Sequence, residues 1–234
     1  MNTDHIPSCL ECNNKTSLFC SLDNEEKQVL SQNKGQNFYK KGHVIFYEGN
    51  YANGLYCIYN GKIKLSKLGS DGKQQIFRLS NNGDVLGYRA LLSNEPYQAT
   101  ATAIEDCYIC HVSKDRFQSI LKENSRLSWK TIQMLSKDLK NAEKNLMNIV
   151  QKNVKERVAE ALLMLVNTFG TNDKDYSLNV SLNRLELSDL VGTTSETIIR
   201  TLSELKKSGC IDLKGKKIIV INPSLLSQIA RLTD

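Results

Sequence analysis

Leu190-Val191-Gly192-Thr193-Thr194-Ser195-Glu196-Thr197-Ile198-Ile199-Arg200-Thr201-Leu202 is the stretch on which the reading of this chain turns. Just upstream, Asn183 can cap a helix whose third position is Glu186, with Leu187, Leu190 and Val191 on its buried side and Gly192 as its stop. Thr193 then caps a second helix, with Glu196 in the matching place. Two short helices joined by a tight glycine-containing turn form a helix-turn-helix, whose second helix is the reading element. Ile198, Leu202 and Leu205 fall on one side of that helix, which leaves Ser195, Glu196, Ile199, Arg200 and Ser203 on the other.

The outward face suits the edges of DNA base pairs. Arginine donates two hydrogen bonds to guanine, glutamate accepts from cytosine, and an exposed isoleucine can touch a thymine methyl. The alternative for Glu196 is a capping-box carboxylate, and for Arg200 a solvated partner of Glu196 one helical turn away. Downstream, Lys206, Lys207, Lys214, Lys216 and Lys217 gather around Gly209 and Gly215. Alone they would be a solvated face; beside the helix pair, Lys214, Lys216 and Lys217 read as phosphate contacts on a wing.

Working back toward the N-terminus, Val154 to Phe169 carries a broad apolar face ending at Gly170, the first core helix of the same domain. Before it, Ile132, Leu135, Leu139, Ala142, Leu146 and Ile149 recur at intervals of 3, 4, 3, 4 and 3 among polar residues, with no Pro or Gly. So narrow a stripe on so long a helix predicts self-association, a homodimer seam; the alternative is packing on the preceding domain. From Gly42 to Gly83 turn signals recur every few residues: Gly49-Asn50, Asn60-Gly61, Asp71-Gly72 and Asn82-Gly83. Between them lie short runs such as Leu55 to Tyr59, Ile63 to Leu65 and Gln75 to Phe77, with a last pair at Ala99 to Ala103 and Cys107 to Val112, the pattern of a small β-sandwich or roll. The domains predicted are 1–122 (Cys-containing segment and β-domain), 123–153 (dimerisation helix) and 154–234 (winged helix-turn-helix).

Composition excludes several classes. Among 234 residues no run approaches the ~18 apolar residues of a membrane span, and Met1 to Asn14 lacks the basic start and apolar centre of an export signal, so a cytoplasmic chain is expected. Seven cysteines without an export signal point to reduced thiols, metal ligation or redox chemistry rather than a disulfide framework. A net charge of +6 permits an anionic partner without requiring one. His5, His43 and His111 are scattered, and no Walker, G-x-S-x-G or G-x-G-x-x-G pattern occurs, so no enzyme is expected.

The chain resembles the CRP/FNR superfamily of transcription regulators from about Phe19 onward. Lys41 to Gly49, Gly54-Leu55-Tyr56, Gly61 to Lys64 and Gly83 to Gly87 are similar to that family's cyclic-nucleotide-binding β-roll, the opening stretch to its reader helix, and Gly209 to Ile218 to its wing. The resemblance implies an α+β chain with an N-terminal cyclic-nucleotide-binding-like β-roll, a long dimerisation helix and a C-terminal winged helix-turn-helix. It further implies double-stranded DNA and RNA polymerase as partners. A dimer would read an inverted repeat, with Glu196 and Arg200 on a TGA-like core.

At the input end the resemblance divides. Cyclic AMP-binding members carry an Arg-Ser pair where this chain has Ser93-Asn94-Glu95-Pro96-Tyr97-Gln98-Ala99, with no arginine, so cAMP lacks its counter-charge and is not expected. The FNR branch holds a [4Fe-4S] cluster on three N-terminal cysteines and one from the β-roll. The matching residues are Cys9, Cys12, Cys20 and Cys110, although seven residues rather than five separate Cys12 from Cys20. Zinc at the C-x-x-C, or no metal with Cys20 and Cys110 as packing residues, stays open, and Cys57, Cys107 and Cys210 read as packing residues. Two other classes remain: a metal or redox protein acting through its cysteines, and a protein-interaction adaptor that binds no DNA.

Overall fold

A computed structural model describes residues 7–14 and 17–231. The chain divides into two compact units, Met1–Lys67 with Arg78–Lys140, and Leu68–Phe77 with Asn141–Asp234. Of the helices among the described residues, none is long and apolar enough to cross a membrane.

The first unit contains most of the β structure. After a 3-10 turn at Leu18–Ser21, helix α1 (Asn24–Gln32) starts at a capping box in which Asp23 accepts from the Glu26 amide and the Glu26 side chain returns the bond. Then follow in chain order β1 (Lys34–Tyr39), β2 (Val44–Phe46), β3 (Gly54–Asn60), β4 (Ile63–Leu68), β5 (Gln74–Ser80), β6 (Val85–Leu86), α2 (Tyr88–Ser93), β7 (Thr100–Ala103), β8 (Cys107–Ser113), α3 (Lys114–Glu123) and α4 (Ser125–Gln151), of which residues 68–77 and 141–151 fall in the second unit. The strands form two four-stranded sheets, ordered β1-β8-β3-β6 and β2-β7-β4-β5.

Strand β3 is buried on both faces from Gly54 to Ile58, which is why it reads as a continuous apolar run rather than an alternating one. Tyr56 and Ile58 enter the core between the sheets with Ile63, Leu65, Ala101 and Ile109. Leu55 and Cys57 point the other way, into a second core closed by Leu30, Phe117 and Leu127 of the helices. Gly61 makes the β3–β4 turn at φ +122°, and a Cβ there would lie 2.4 Å from the Cys107 sulfur, so no larger residue fits.

Helix α4 begins where Asn124 Oδ1 accepts from the Leu127 amide at 2.9 Å. Of the predicted seam, Ile132, Leu139, Ala142, Leu146 and Ile149 are exposed, while Leu135 is half-buried against the helical core of its own unit.

The second unit holds α5 (Val154–Phe169), α6 (Arg184–Val191), α7 (Ser195–Lys207), β9 (Ile211–Lys214), β10 (Lys217–Val220) and α8 (Pro223–Ile229). Helix α5 has the predicted bounds, with an Asn153–Glu156 capping box and Gly170 as its C-cap. Val158, Leu162, Ile198, Leu202, Leu205, Cys210 and Leu226 are fully buried. At about 1.5–3 kcal/mol for each large apolar side chain removed from water, this core holds the helix pair in place.

Candidate nucleic-acid interface

The helix-turn-helix is built largely as the sequence implies. Helix α6 starts at the predicted Asn183–Glu186 capping box and stops at Gly192, which adopts φ +74° and returns its amide to Ser188 O at 2.9 Å. The second cap differs by one residue. Thr194, not Thr193, is the N-cap of α7, its hydroxyl accepting from the Thr197 amide at 3.3 Å. Threonine takes the position where a capping-box glutamate would stand, so Glu196 is released from that role.

Glu196 is instead the second residue of α7, fully exposed. Its own backbone amide, then the Thr194 hydroxyl, holds the carboxyl below the usual glutamate range, so it stays an ionised acceptor. Ile199 is 53% exposed and Arg200 is exposed beside it. Ser203 is exposed as well, but its hydroxyl bonds back to Ile199 O at 2.9 Å. Ser195 is half-buried rather than outward, with its hydroxyl 3.3 Å from that of buried Ser188 on α6. The structure therefore brings Glu196, Ile199 and Arg200 together on one solvent face and turns Ser195 toward the helix-helix contact.

The wing is a two-residue hairpin, Lys214 opposite Lys217 with Gly215-Lys216 as the turn. Lys214 and Lys216 are exposed at its tip. Lys217 Nζ is 2.6 Å from Asp175 Oδ2, and Lys206 Nζ is 2.7 Å from Asp212 Oδ1, so both charges are partly spent inside the unit. The Asp175 carboxyl lies well below the usual range because Lys217 and then Ser177 donate to it.

Sequence reasoning missed Arg157. Its guanidinium donates Nε to Val191 O at 3.2 Å, Nη2 to Gly192 O at 3.3 Å and Nη1 to Lys152 O at 2.9 Å. It thus ties the carbonyls at the end of α6 to the start of α5, fixing the turn from which the reader helix departs. Only the spatial meeting of residues 34 and 35 positions apart reveals this role, because no local motif marks it.

In the β-roll, Tyr97 lies in the stretch where the Arg-Ser pair of cAMP-binding members would stand. Its ring is buried and stacks on Phe46 with centroids 4.0 Å apart. Burial first, then the neighbouring Tyr56 hydroxyl, pushes the Tyr97 phenol far up.

The cysteines divide unevenly. Cys57 and Cys110 are directly opposite on β3 and β8, and Cys9 packs on the same core. Burial, foremost, pushes the Cys57 thiol up to about 12 and also raises Cys9 and Cys110. Cys12 is half-buried, and its charge contributes to the rise at all three. Cys20 is turned away, its thiol donating to Asn14 O at 2.9 Å. Among the described residues no three His, Cys, Asp or Glu side chains stand close enough to hold a metal ion. Cys9, Cys12, Cys20 and Cys110 therefore do not fit a four-thiolate cluster as the residues lie. Cys107 and Cys210 are fully buried packing residues.

Comparison with known proteins bears on both units. Residues 36–124 match the cyclic nucleotide-binding domain, and residues 156–229 match the Crp-like helix-turn-helix domain. The chain is 28% identical over 195 residues to the CRP-like cAMP-activated global transcriptional regulator of Mycobacterium tuberculosis, covering 82% of this chain and 87% of that one. It is 28% identical over 194 residues to the fumarate and nitrate reduction regulatory protein of Yersinia pestis, covering 82% and 76%. Among solved structures, FixK2 from Bradyrhizobium japonicum superposes with a TM-score of 0.76 at 25% identity, covering 86% and 99%. Relatives of both the cAMP-activated and the fumarate and nitrate reduction kinds thus match at equal identity. With a nucleotide-binding-type β-roll, a long helix and a Crp-like reader domain in that order, the chain belongs to the CRP/FNR family of DNA-binding transcription regulators.

Proposed function

We propose that this chain acts as a cytoplasmic homodimer that binds an inverted DNA repeat with a TGA-like core, under control of a signal received in the β-roll domain. The observation that carries the reading is the solvent face of α7, where ionised Glu196, Ile199 and Arg200 are all exposed, with Lys214 and Lys216 exposed at the tip of the hairpin that follows. In their roles, Arg200 reads guanine, Glu196 accepts from cytosine, Ile199 meets a thymine methyl, and the wing lysines position the duplex through phosphates.

The dimer is proposed through the exposed seam of α4, with residues 1–122 as the input part, 123–153 as the dimer helix and 154–234 as the reader. RNA polymerase is the further partner, and no catalysis is assigned. The input is inferred to be thiol-linked and FNR-like rather than cAMP, because aromatic Tyr97 occupies the stretch where a cyclic phosphate would need a cation. Gel-shift titration on an inverted TGA-containing repeat tests the reading. Tight, sequence-dependent binding lost in Arg200→Ala is expected; equal binding to every sequence, unchanged in that variant, would overturn it.

A further inference from the structure

We propose that Arg157 is a positioning residue for two-site DNA reading: its guanidinium locks the end of α4 to the turn between α6 and α7, and so fixes where the reader helix stands relative to the last part of the dimer seam. The assignment rests on the homodimer reading of an inverted repeat and names the side chain that sets its geometry.

The end of α4 lies in the reader's own unit. Residues 141–151 fall in the same compact unit as α5, α6 and α7, and with them the exposed seam residues Ala142, Leu146 and Ile149. Lys144 stands two residues after Ala142 and two before Leu146, on the side of the heptad opposite its apolar seam, and its Nζ reaches Glu160 of α5 at 3.3 Å. Helix α5 is thereby held on the back of α4, with the seam side open to a second copy.

Arg157 precedes Glu160 by one turn on the same face of α5. Helix α4 stops at Gln151 and α6 at Val191, and a helix leaves its last carbonyls without a helical partner, at the negative end of its dipole. The guanidinium answers both ends: Nη1 donates to Lys152 O at 2.9 Å, Nε to Val191 O at 3.2 Å and Nη2 to Gly192 O at 3.3 Å. Lys152 closes the loop, because the residue whose carbonyl takes Arg157 also places its ammonium 2.7 Å from Glu160. One half-buried cation thus serves two helix C-termini at once.

The shape of the group matters as much as its charge. A guanidinium carries its donors in one rigid plane, so carbonyls from two separate segments are held in a fixed mutual orientation. A lysine ammonium would keep the charge but offers a point donor on a flexible stem, which cannot hold both ends in register. Gly192 is the C-cap of α6, and α7 begins three residues later at Ser195. The orientation that Arg157 gives the Gly192 carbonyl is therefore passed through a short turn to Glu196, Ile199 and Arg200. In a dimer, the same clamp in each copy would hold the two reader helices at one separation, and the spacing of the repeat would be read through it.

The test compares full-length wild type and Arg157→Lys by gel shift on a single half-site, on the inverted repeat, and on repeats lengthened or shortened by one base pair. That change turns one half-site by roughly 34° about the duplex. Wild type is expected to gain about 10²-fold from the second half-site and to lose about ten-fold of it at either altered spacing. In Arg157→Lys the single half-site should be bound within about two-fold of wild type, while the gain drops to about ten-fold and the spacing preference flattens. A variant that weakens single and double sites alike would make Arg157 a residue of the fold only and overturn the proposal. Full gain with the wild-type spacing preference would do the same.

Should Arg157→Lys fail to fold, native-state hydrogen exchange of wild type decides instead. The amides of Lys152 and Arg157 at the joint, bonded to Asn148 O and Asn153 O, and those of Gly192 and Thr193 at the turn, both bonded to Ser188 O, are expected to open as one unit. Their opening constants should agree within about three-fold as urea is raised, and independent opening of joint and turn overturns the proposal. Exchange involves no DNA, so a wild type that gains nothing from a second half-site would refute the homodimer reading while the clamp is judged on these amides.

Discussion

At the level of single side chains, the reader face separates groups that specify from groups that position. A bidentate arginine–guanine contact discriminates by about 1–3 kcal/mol, so Arg200→Ala is expected to weaken binding to the preferred repeat by roughly 10- to 100-fold and to flatten preference at one base pair per half-site. Competition gel shifts over single-base variants measure this. Lys216→Ala should act differently, lowering affinity alike on every sequence and reducing the slope of log K against log salt by about 1 for each reader domain. Lys217→Ala should change that slope less, because Lys217 already neutralises Asp175 at 2.6 Å. The sequence showed the residue types on this face but not which are spent. Ser195 and Lys217 fall on the expected stretch, and it is the approach of Ser188, on the neighbouring helix, and of Asp175, 42 residues away, that engages them within the unit.

Elements were legible where one periodicity dominated. Helices α5 and α6 and strands β3 and β8 lie close to where capping residues and apolar runs place them. Strand β1, Lys34–Tyr39, was not legible: it is a largely exposed, polar edge strand whose order comes from pairing with β8. The α7 cap moved by one residue because Thr193 and Thr194 are chemically equivalent candidates. A joint between elements was also invisible. Glu160 of α5 receives Lys144 of α4 at 3.3 Å and Lys152 of the connecting turn at 2.7 Å. Burial alone would raise this carboxyl, but the two lysines outweigh it and hold it below its ordinary 4.5. A depressed folded value means the stabilisation is present above 4.5 and is lost as pH falls through the folded value. Glu160→Gln should therefore destabilise the chain at neutral pH, a gap that closes in acid, as read by urea unfolding at each pH.

For the whole molecule, the proposed output depends on two copies acting as a rigid pair, and the exposed seam of α4 is where that pairing is argued. Leu139 and Leu146 are 62% and 63% exposed, and burying each in both copies would contribute about 1.5–3 kcal/mol per side chain. Leu146→Asp should shift the sedimenting species from dimer to monomer while leaving the far-ultraviolet spectrum of the chain intact. Within the first unit, the same helix is locked to the β-roll: Asp138 accepts from Arg78 Nη1 at 3.0 Å and from the Tyr88 hydroxyl. That places a charged joint between β5, α2 and α4. If two reader helices held by α4 bind together, the second half-site is captured at high effective concentration. DNA with one TGA-like half-site should then bind roughly 10²-fold or more weakly than the inverted repeat. Inserting about 5 base pairs between the halves turns the second site to the opposite side of the duplex, and it should weaken binding to the single-site level. Gel shifts over a spacer series measure both, and Leu146→Asp should bind the full repeat no better than the single half-site. A repeat bound equally at every spacing would mean that the reader domains act independently, and the α4 dimer would fall with it.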